Sequence, residues 1–112
     1  MKLYFATDRG LTGSPFGLPP TRRALDAYLE LLDGSGLPWA VSVAGGDVVA
    51  SEIARAALEE GGHLHVGLEF FGGDRRPTNA QLVEEAVALC ESVGRPVASP
   101  DDAADLLDLP FS

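Results

Sequence analysis

The stretch that decides the fold is GGHLHVGLE, at residues 61–69. Its two glycines are suited to ending a helix, because a left-handed C-cap favours glycine. From His63 to Glu69, polar or small side chains then alternate with aliphatic ones, which predicts a β-strand that ends in a carboxylate. In βα proteins the carboxyl ends of the strands are where binding and catalytic groups are placed. The stretch therefore predicts a strand whose far end carries chemistry.

Strand-like and helix-like segments alternate along the rest of the chain. Short apolar runs at Lys2–Ala6 and Trp39–Ala44 are typical of strands, and the second has the near-continuous apolar character of a strand covered on both faces. Amphipathic helices are predicted after Thr21, after the glycines that end the second strand, and after Thr78. Pro100 is placed to open a last helix. This order predicts parallel strands joined by helical crossovers.

The length of the chain bounds the architecture that these segments can build. With 112 residues, of which 46% are hydrophobic, the chain is expected to fold as one domain over residues 1–112. A complete barrel of eight βα units takes roughly 250 residues, so a chain of this length holds about half of one. We therefore predict an α/β fold of three βα units with parallel strands and a C-terminal helix, a partial TIM barrel.

Charge and composition narrow the range of partners. Seventeen acidic against eight basic residues give a net charge of −9, and a field of that sign repels phosphate backbones, so nucleic acid is not an expected partner. The single cysteine, Cys90, excludes an internal disulfide and suits a reducing compartment. There is no run of about 18 apolar residues, so no membrane partner is expected. These features predict a cytoplasmic protein.

Candidate metal ligands lie on the third strand. Side chains alternate along a strand, so His63, His65, Gly67 and Glu69 are expected on one face, where a zinc site is the tempting interpretation. On an unbroken strand, however, His65 and Glu69 lie about 13 Å apart, whereas zinc holds its ligands at about 2.0–2.2 Å. His63 and His65, about 6.6 Å apart, could chelate together but lack further ligands nearby. A structural pair near the sheet interior is the commoner case.

Glu69 is the stronger candidate ligand, because it ends the strand where the active site of a barrel would lie, although it could also be an ordinary loop carboxylate. Two other positions are candidates for substrate binding. Asn79, near the start of a helix after a Gly-rich loop, is more commonly a local cap than a ligand. Gly45, beside Gly46, could direct backbone amides at an anion, although a tight turn is the simpler explanation. The arginines at 75–76 could grip a carboxylate but are more commonly only solvated.

Four motifs stand in one order in the second half of the chain. They are Gly61-Gly62-His63, Val66-Gly67-Leu68-Glu69, the run TNAQLVE at residues 78–84 and the run GRPVASP at residues 94–100. In order and spacing they resemble the last third of the β-keto acid cleavage enzymes, zinc-dependent TIM barrels that include the 3-keto-5-aminohexanoate cleavage enzyme. The likeness extends to the opening strand and the Gly/Pro-rich loop after it, and it implies the last three strands of such a barrel. It also implies the family reaction, in which a β-keto acid condenses with acetyl-CoA and a carbon–carbon bond is cleaved.

The resemblance also implies roles for single residues. By position Glu69 becomes a zinc ligand. The family's other ligands are a His-x-His pair on an early strand that this chain lacks, so the chain alone is expected to bind zinc weakly or not at all. The family's catalytic Arg aligns with His65, which becomes the candidate catalytic residue, although imidazole lacks the planar, permanently charged fork of guanidinium. The Asp that follows the ligand is Phe70 here, which has no acid–base chemistry. Impaired catalysis is the expectation.

Two hypotheses follow from these residues. In the first, the chain is one part of an enzyme and supplies Glu69 and its late loops to a separately encoded N-terminal half. In the second, it is a non-catalytic half-barrel that is stable through self-association. A neighbouring gene with an early-strand His-x-His pair would favour the first hypothesis, whereas its absence, with no zinc in the purified protein, would favour the second. The resemblance to the family favours the first hypothesis, and the residues of this chain taken alone favour the second.

Overall fold

The computed structural model describes residues 1–7 and 17–109. Strands and helices alternate within them in the predicted order. Their bounds are β1 at Lys2–Ala6, α1 at Arg22–Leu32, β2 at Ala40–Ala44, α2 at Glu52–Glu59, β3 at His63–Leu64, α3 at Asn79–Ser92 and α4 at Pro100–Leu106. The Gly/Pro-rich loop predicted after the first strand lies largely outside the described residues. None of the described helices is long and apolar enough to cross a membrane.

The described strands form one open parallel sheet in the order β1-β2-β3. Leu3 lies opposite Val41, and Val41 lies opposite Leu64 on its other side. Strand β2 begins one residue after the predicted Trp39, a difference that is ordinary at the end of an element. The α/β fold with parallel strands is confirmed, and a three-stranded open sheet of this kind fits a partial barrel.

The third strand is much shorter than predicted. Regular pairing covers only His63–Leu64, and the next backbone bond, from His65 N–H to the carbonyl of Val41 at 3.0 Å, is the last before the chain leaves β2. The chain returns at Phe71, which pairs with Gly46 in an isolated parallel bridge. From the pair Val41–Leu64 to the bridge Gly46–Phe71, β2 advances by five positions and its partner by seven. Two extra residues of the partner therefore bulge out of the sheet.

The prediction of an unbroken strand through Glu69 is therefore wrong. The alternation of polar and aliphatic residues cannot reveal a bulge of two residues, because an insertion of two residues leaves the alternating pattern in phase. The shared face expected for Gly67 and Glu69, and the separation of about 13 Å inferred from it, hold only for regular pairing and do not apply here. Residues 65–78 are hereafter called the β3 loop.

The core lies between one face of the sheet and the helices α1 and α2. Alternate residues of β1 and β2 point to this face, and the largest fully buried side chains include Phe5, Leu25 and Ile53. Trp39, Leu64 and Val66 pack against the same cluster. The opposite face of the sheet, hereafter the open face, carries Tyr4 and Ser42 side by side in the strand register. It is the face that a partial barrel would turn toward the barrel interior.

The helix ends follow the predicted chemistry. Thr21 accepts a bond from the N–H of Ala24, and Thr78 forms a capping box with Gln81. Pro100 is the first residue of α4. These side chains satisfy backbone N–H groups that a helix leaves without a partner, so the starts of α1, α3 and α4 are specified locally.

Gly61 and Gly62, which were predicted to end a helix, have two separate functions in the turn before β3. Gly61 takes a φ of +91°, the left-handed region that favours glycine. At Gly62, a Cβ atom would overlap the ring of Trp39, so the glycine lets the indole pack against the turn. The turn that leads into β3 is thereby fixed by backbone conformation and by packing.

Truncation of Leu82 tests how α3 is attached to the domain. Leu82 is 1% exposed and is the one buried residue of α3, whereas the next residue, Val83, is 52% exposed. We expect Leu82→Ala to lower the free energy of unfolding by about 2–5 kcal/mol, since it leaves a cavity. Val83→Ala is the matched control and should change it by less than about 0.5 kcal/mol. Urea denaturation measures both, and equal losses would contradict this account of α3.

Candidate functional site

A cleft of about 360 Å³ opens where the β3 loop leaves β2. It lies at the carboxyl end of the sheet, the end at which the sequence predicted chemistry. Three of the four predicted site residues line it, namely His65, Glu69 and Asn79. Gly45 does not line it, but its neighbour Gly46 does. Its other lining residues include Ser42, Val43, Val48, Val66, Phe70, Phe71 and Leu82.

The β3 loop is joined to the end of β2 through backbone hydrogen bonds. The N–H of Gly45 donates to the carbonyl of Phe70 at 2.9 Å, and the N–H of Gly72 donates to the carbonyl of Gly46 at 3.0 Å. On the other side of β2, the hydroxyl of Thr7 donates to the carbonyl of Gly45 at 2.7 Å. The amide of Gly45, predicted as a possible anion donor, is thus already used within the protein.

Asn79 makes a bond that the sequence did not predict. It is the first residue of α3, and Thr78 before it provides the cap, so Asn79 is not the local cap that was the commoner alternative. Its Oδ1 instead accepts from the N–H of Leu68 at 2.9 Å, across eleven positions of the chain. Asn79 therefore connects the start of α3 to the bulged part of the β3 loop.

Glu69 lies between these two connections. Its side chain is exposed, and within residues 1–7 and 17–109 its carboxylate makes no hydrogen bond or ion pair. A free carboxylate at the carboxyl end of a parallel sheet is chemically suited to bind a metal ion or a cationic group. Its role as a ligand stays a prediction.

His65 is half-buried on the open face. Its Nδ1 atom is buried and has no hydrogen-bond partner among the described residues, and its ring meets that of Phe70 edge to face at 6.3 Å. Burial, and then the positive charge of Lys2, lower the pKa of His65, while Glu69 acts in the opposite direction. The neutral imidazole, with one nitrogen to donate and one to accept, is thus the favoured form.

His63 and His65 do not converge on one site. His63 borders a separate apolar cavity of about 370 Å³ near the amino ends of the strands, whose other walls include Met1, Trp39 and Leu106. Burial and the charge of Arg95 lower the pKa of His63. This division supports the structural interpretation of the His-x-His pair.

The donor set of the described residues does not amount to a zinc site. Across residues 1–7 and 17–109, no group of three or more His, Cys, Asp or Glu side chains is close enough to hold a metal ion. Protein zinc sites use three or four such ligands. Glu69 is a suitable single ligand, and the rest of a ligand set does not accompany it in this part of the chain.

Arg75 organises the outer part of the β3 loop through ion pairs within the protein, which the sequence analysis did not predict. Its guanidinium bonds both oxygens of Glu85 at 2.6 Å, bonds Oδ2 of Asp47 at 2.7 and 3.0 Å, and lies 5.5 Å from the ring centre of Phe71. These bonds raise the pKa of Arg75 and lower that of Glu85. Among the described residues, Arg76 bonds backbone carbonyls alone, at 3.4 and 3.5 Å. The expectation of merely solvated arginines is therefore wrong for Arg75.

A signal for this cluster was present in the chain. Asp47 follows the end of β2 and Arg75 lies in the loop after β3, and loops that follow neighbouring parallel strands meet at one edge of the sheet. Opposite charges on two such loops could therefore have been paired by topology, although not by their spacing in sequence.

Substitution of Gly72 tests the docking of the β3 loop on β2. A Cβ atom at Gly72 would lie 2.6 Å from the carbonyl carbon of Gly45, a backbone atom that cannot yield cheaply. We expect Gly72→Ala to lower the free energy of unfolding by about 1–3 kcal/mol, as overpacking does. At Gly73 the nearest atoms are the Phe71 ring at 3.6 Å, so Gly73→Ala should stay within about 0.5 kcal/mol. Chemical denaturation of both variants measures these free energies. An unchanged free energy of unfolding in Gly72→Ala would contradict the close approach of Gly72 to Gly45.

Substitution of Arg75, with its neighbour Arg76 as the matched control, tests whether the ion pairs of Arg75 stabilise the protein. Arg75→Ala should lower the melting temperature by a few degrees in dilute buffer, because two carboxylates lose their partner. The difference from the unmodified protein should shrink in concentrated salt, which screens exposed pairs. Arg76→Ala should leave the melting temperature unchanged. Thermal unfolding at two salt concentrations measures this, and identical behaviour of the two variants would contradict the assignment.

Comparison with known proteins adds an independent line of observation. The family profile described as beta-keto acid cleavage enzyme matches residues 7–109. The 3-oxoadipate:acetyl-CoA acetyltransferase of Cupriavidus necator is 37% identical over 99 residues, which cover 83% of this chain and 34% of that protein. The 3-dehydrocarnitine:acetyl-CoA trimethylamine transferase of Rhizobium meliloti is 32% identical over 100 residues, or 87% of this chain and 32% of that protein.

The 3-keto-5-aminohexanoate cleavage enzyme of Fusobacterium nucleatum is 36% identical over 78 residues, which cover 66% of this chain and 28% of that protein. The chain thus spans about a third of the length of the curated relatives it matches. The match includes β2, β3 and all the residues that line the cleft. By this match the chain belongs to the β-keto acid cleavage enzyme family.

Proposed function

We propose that this chain is one part of an enzyme that cleaves a β-keto acid with acetyl-CoA as the second substrate. The observation that carries the proposal is the place of Glu69. Its carboxylate, which no described residue pairs, stands at the carboxyl end of the parallel sheet beside a cleft of about 360 Å³. It lies in the motif that resembles the family's ligand strand. The names of two relatives, which specify acetyl-CoA with 3-oxoadipate and with 3-dehydrocarnitine, support the same substrate class.

The proposed site is incomplete within this chain. Glu69 would serve as a ligand of the family's zinc, and the remaining ligands would come from a polypeptide that carries the early strands and their His-x-His pair. A separately encoded N-terminal half is the proposed source. For the chain alone we propose weak zinc binding or none, since a single carboxylate does not make a closed site.

His65 is the proposed catalytic residue on this strand. A neutral imidazole on the open face can exchange one hydrogen bond with the substrate, either as donor or as acceptor. It cannot hold a carboxylate through two parallel charged bonds, as the guanidinium of the family's Arg would. Together with Phe70 in place of an acid, this change favours reduced turnover. Asn79 is the proposed substrate-binding position, since its Nδ2 amide is a donor that no described residue engages. Gly45, the other predicted position, is not proposed to bind substrate, because its amide already donates to Phe70.

A second candidate function is a non-catalytic half-barrel that associates with its own copies. It is favoured by apolar side chains on α4 and the residues after it, since Leu106, Leu107 and Leu109 are about half exposed. The β1 edge of the sheet is partly covered by Leu18, but the outer edge of β3 presents backbone groups that no described residue pairs. Sedimentation of the isolated chain distinguishes the candidates, because a monomer at micromolar concentration contradicts this second one.

Reconstitution tests the enzymatic proposal. The assay measures acyl-CoA formed from a β-keto acid and acetyl-CoA, by this chain with and without a polypeptide that carries the early His-x-His strands. We expect turnover only from the two polypeptides together. Glu69→Gln should lower that turnover by about 10- to 100-fold or more, because loss of a residue that merely hydrogen-bonds to a metal ligand already has an effect of this size. Glu91→Gln, at an exposed position of α3, is the matched control and should keep full turnover.

Two results would overturn this proposal. The first is turnover by the isolated chain that Glu69→Gln abolishes, which would place a complete active site in the chain. The second is turnover by the pair that Glu69→Gln leaves unchanged, which would remove Glu69 from the chemistry.

A further inference from the structure

We propose that Asn79 is the positioning residue for Glu69, through its bond to the backbone of Leu68. This inference rests on the proposed function, because that function makes the placement of Glu69 matter. It assigns Asn79 a contact within the protein in addition to any contact of its Nδ2 amide with substrate.

The backbone before and after Glu69 is held by two different elements. On one side, the N–H of Leu68 donates to Oδ1 of Asn79 at 2.9 Å. On the other side, the carbonyl of Phe70 accepts from the N–H of Gly45 at 2.9 Å. The chain between these two points is Leu68, Glu69 and Phe70, and the N–H of Phe71 closes a turn over it by donating to the carbonyl of Leu68 at 3.2 Å. The turn restrains Glu69 locally, and the two outer bonds fix how the turn is placed on the domain. The direction of its Cβ atom, and hence the region that its carboxylate can reach, is thereby restricted.

The bulge makes such a bond necessary. A residue in a regular strand is held by ladder bonds, but the β3 loop has left β2 at His65 and does not return before Phe70. Among the described residues, the backbone of the bulge makes a local turn bond, from the N–H of Phe71 to the carbonyl of Leu68, and the bond from Leu68 to Asn79, which is the one that joins the bulge to another element. Without it, Leu68 and Glu69 would be held to the domain only through Val66, which packs against the core, and through the return of the chain at Phe70.

Asn79 belongs to a rigid element, so it can act as a fixed reference point. It begins a helix of 14 residues whose first turn is closed by the capping box of Thr78 and Gln81. Leu82, three positions further along, is buried and lines the same cleft as Glu69. The amide of Asn79 is therefore held in place by the helix, and the helix does not need that amide for its own cap.

This separation of functions makes the inference testable. Asn79→Ala removes the acceptor, Asn79→Asp keeps an oxygen in the same place, and Gln81→Ala weakens the start of α3 without touching Leu68. The measurement is ¹⁵N relaxation of the full chain, in which a rigid backbone gives an order parameter near about 0.85 and a flexible one gives less than about 0.6.

We expect Leu68 and Glu69 to be rigid in the unmodified chain, flexible in Asn79→Ala, and rigid again in Asn79→Asp. In Gln81→Ala they should remain rigid, which excludes a general loosening of α3. In the reconstituted pair, Asn79→Ala should lower kcat about 10- to 100-fold, and Asn79→Asp should restore most of kcat because the bond to Leu68 returns. Any rise in KM from the lost Nδ2 donor should persist in both variants.

The inference is overturned if Glu69 is equally ordered in the unmodified chain and in Asn79→Ala, or if Gln81→Ala loosens it as much. It is also overturned if the pair turns over at the unmodified rate with Asn79→Ala. Failure of the proposed function gives a different result, namely no turnover by the unmodified pair. In that case the relaxation measurements still decide whether Asn79 orders Glu69.

Discussion

The close approach of two backbone segments, at Gly45 and at Gly72, is the constraint on which the candidate site depends. Only glycine at position 72 lets the returning chain lie against the end of β2, and the approach allows the bonds from Gly45 to Phe70 and from Gly72 to Gly46. These bonds bring a chain that has left the sheet back into register with it. The cleft is the space that the excursion encloses, so its shape follows from backbone geometry more than from side-chain packing.

As a consequence, the polar side chains at positions 63, 65 and 69 lie in different surroundings although they are close in sequence. His63, still in regular pairing, borders the apolar cavity near the amino ends of the strands, while Glu69 lies in the bulge at the carboxyl end. His65 occupies the point of departure, where burial favours its neutral form. In a regular strand, the three side chains would have formed a row on one face. The bulge instead places His63 against one cavity, and His65 and Glu69 against another.

Local signals in the sequence were sufficient for most of the fold. Thr21, Thr78 and Pro100 begin helices because their chemistry satisfies backbone groups next to them, and this requires no knowledge of the rest of the molecule. The third strand was predicted too long because a two-residue bulge leaves alternation in phase, and because the bonds that define it join residues far apart in sequence.

The candidate site shows the same division between local and distant effects. The position of Glu69 at the end of a strand could be inferred from order alone. The bond from Leu68 to Asn79 and the cluster around Arg75 could not, since both depend on how loops meet after folding. Their partners are separated by ten or more positions, and no periodic pattern relates them.

The ring of Phe70 has a consequence for any polypeptide that covers the open face. It meets Tyr4 of β1 edge to face at 5.8 Å and His65 at 6.3 Å, so it spans the sheet from its first strand to its third. A covering surface must leave a recess for this ring. At this point the open face therefore presents an aromatic ring, where a side chain of the size of aspartate would leave a hollow.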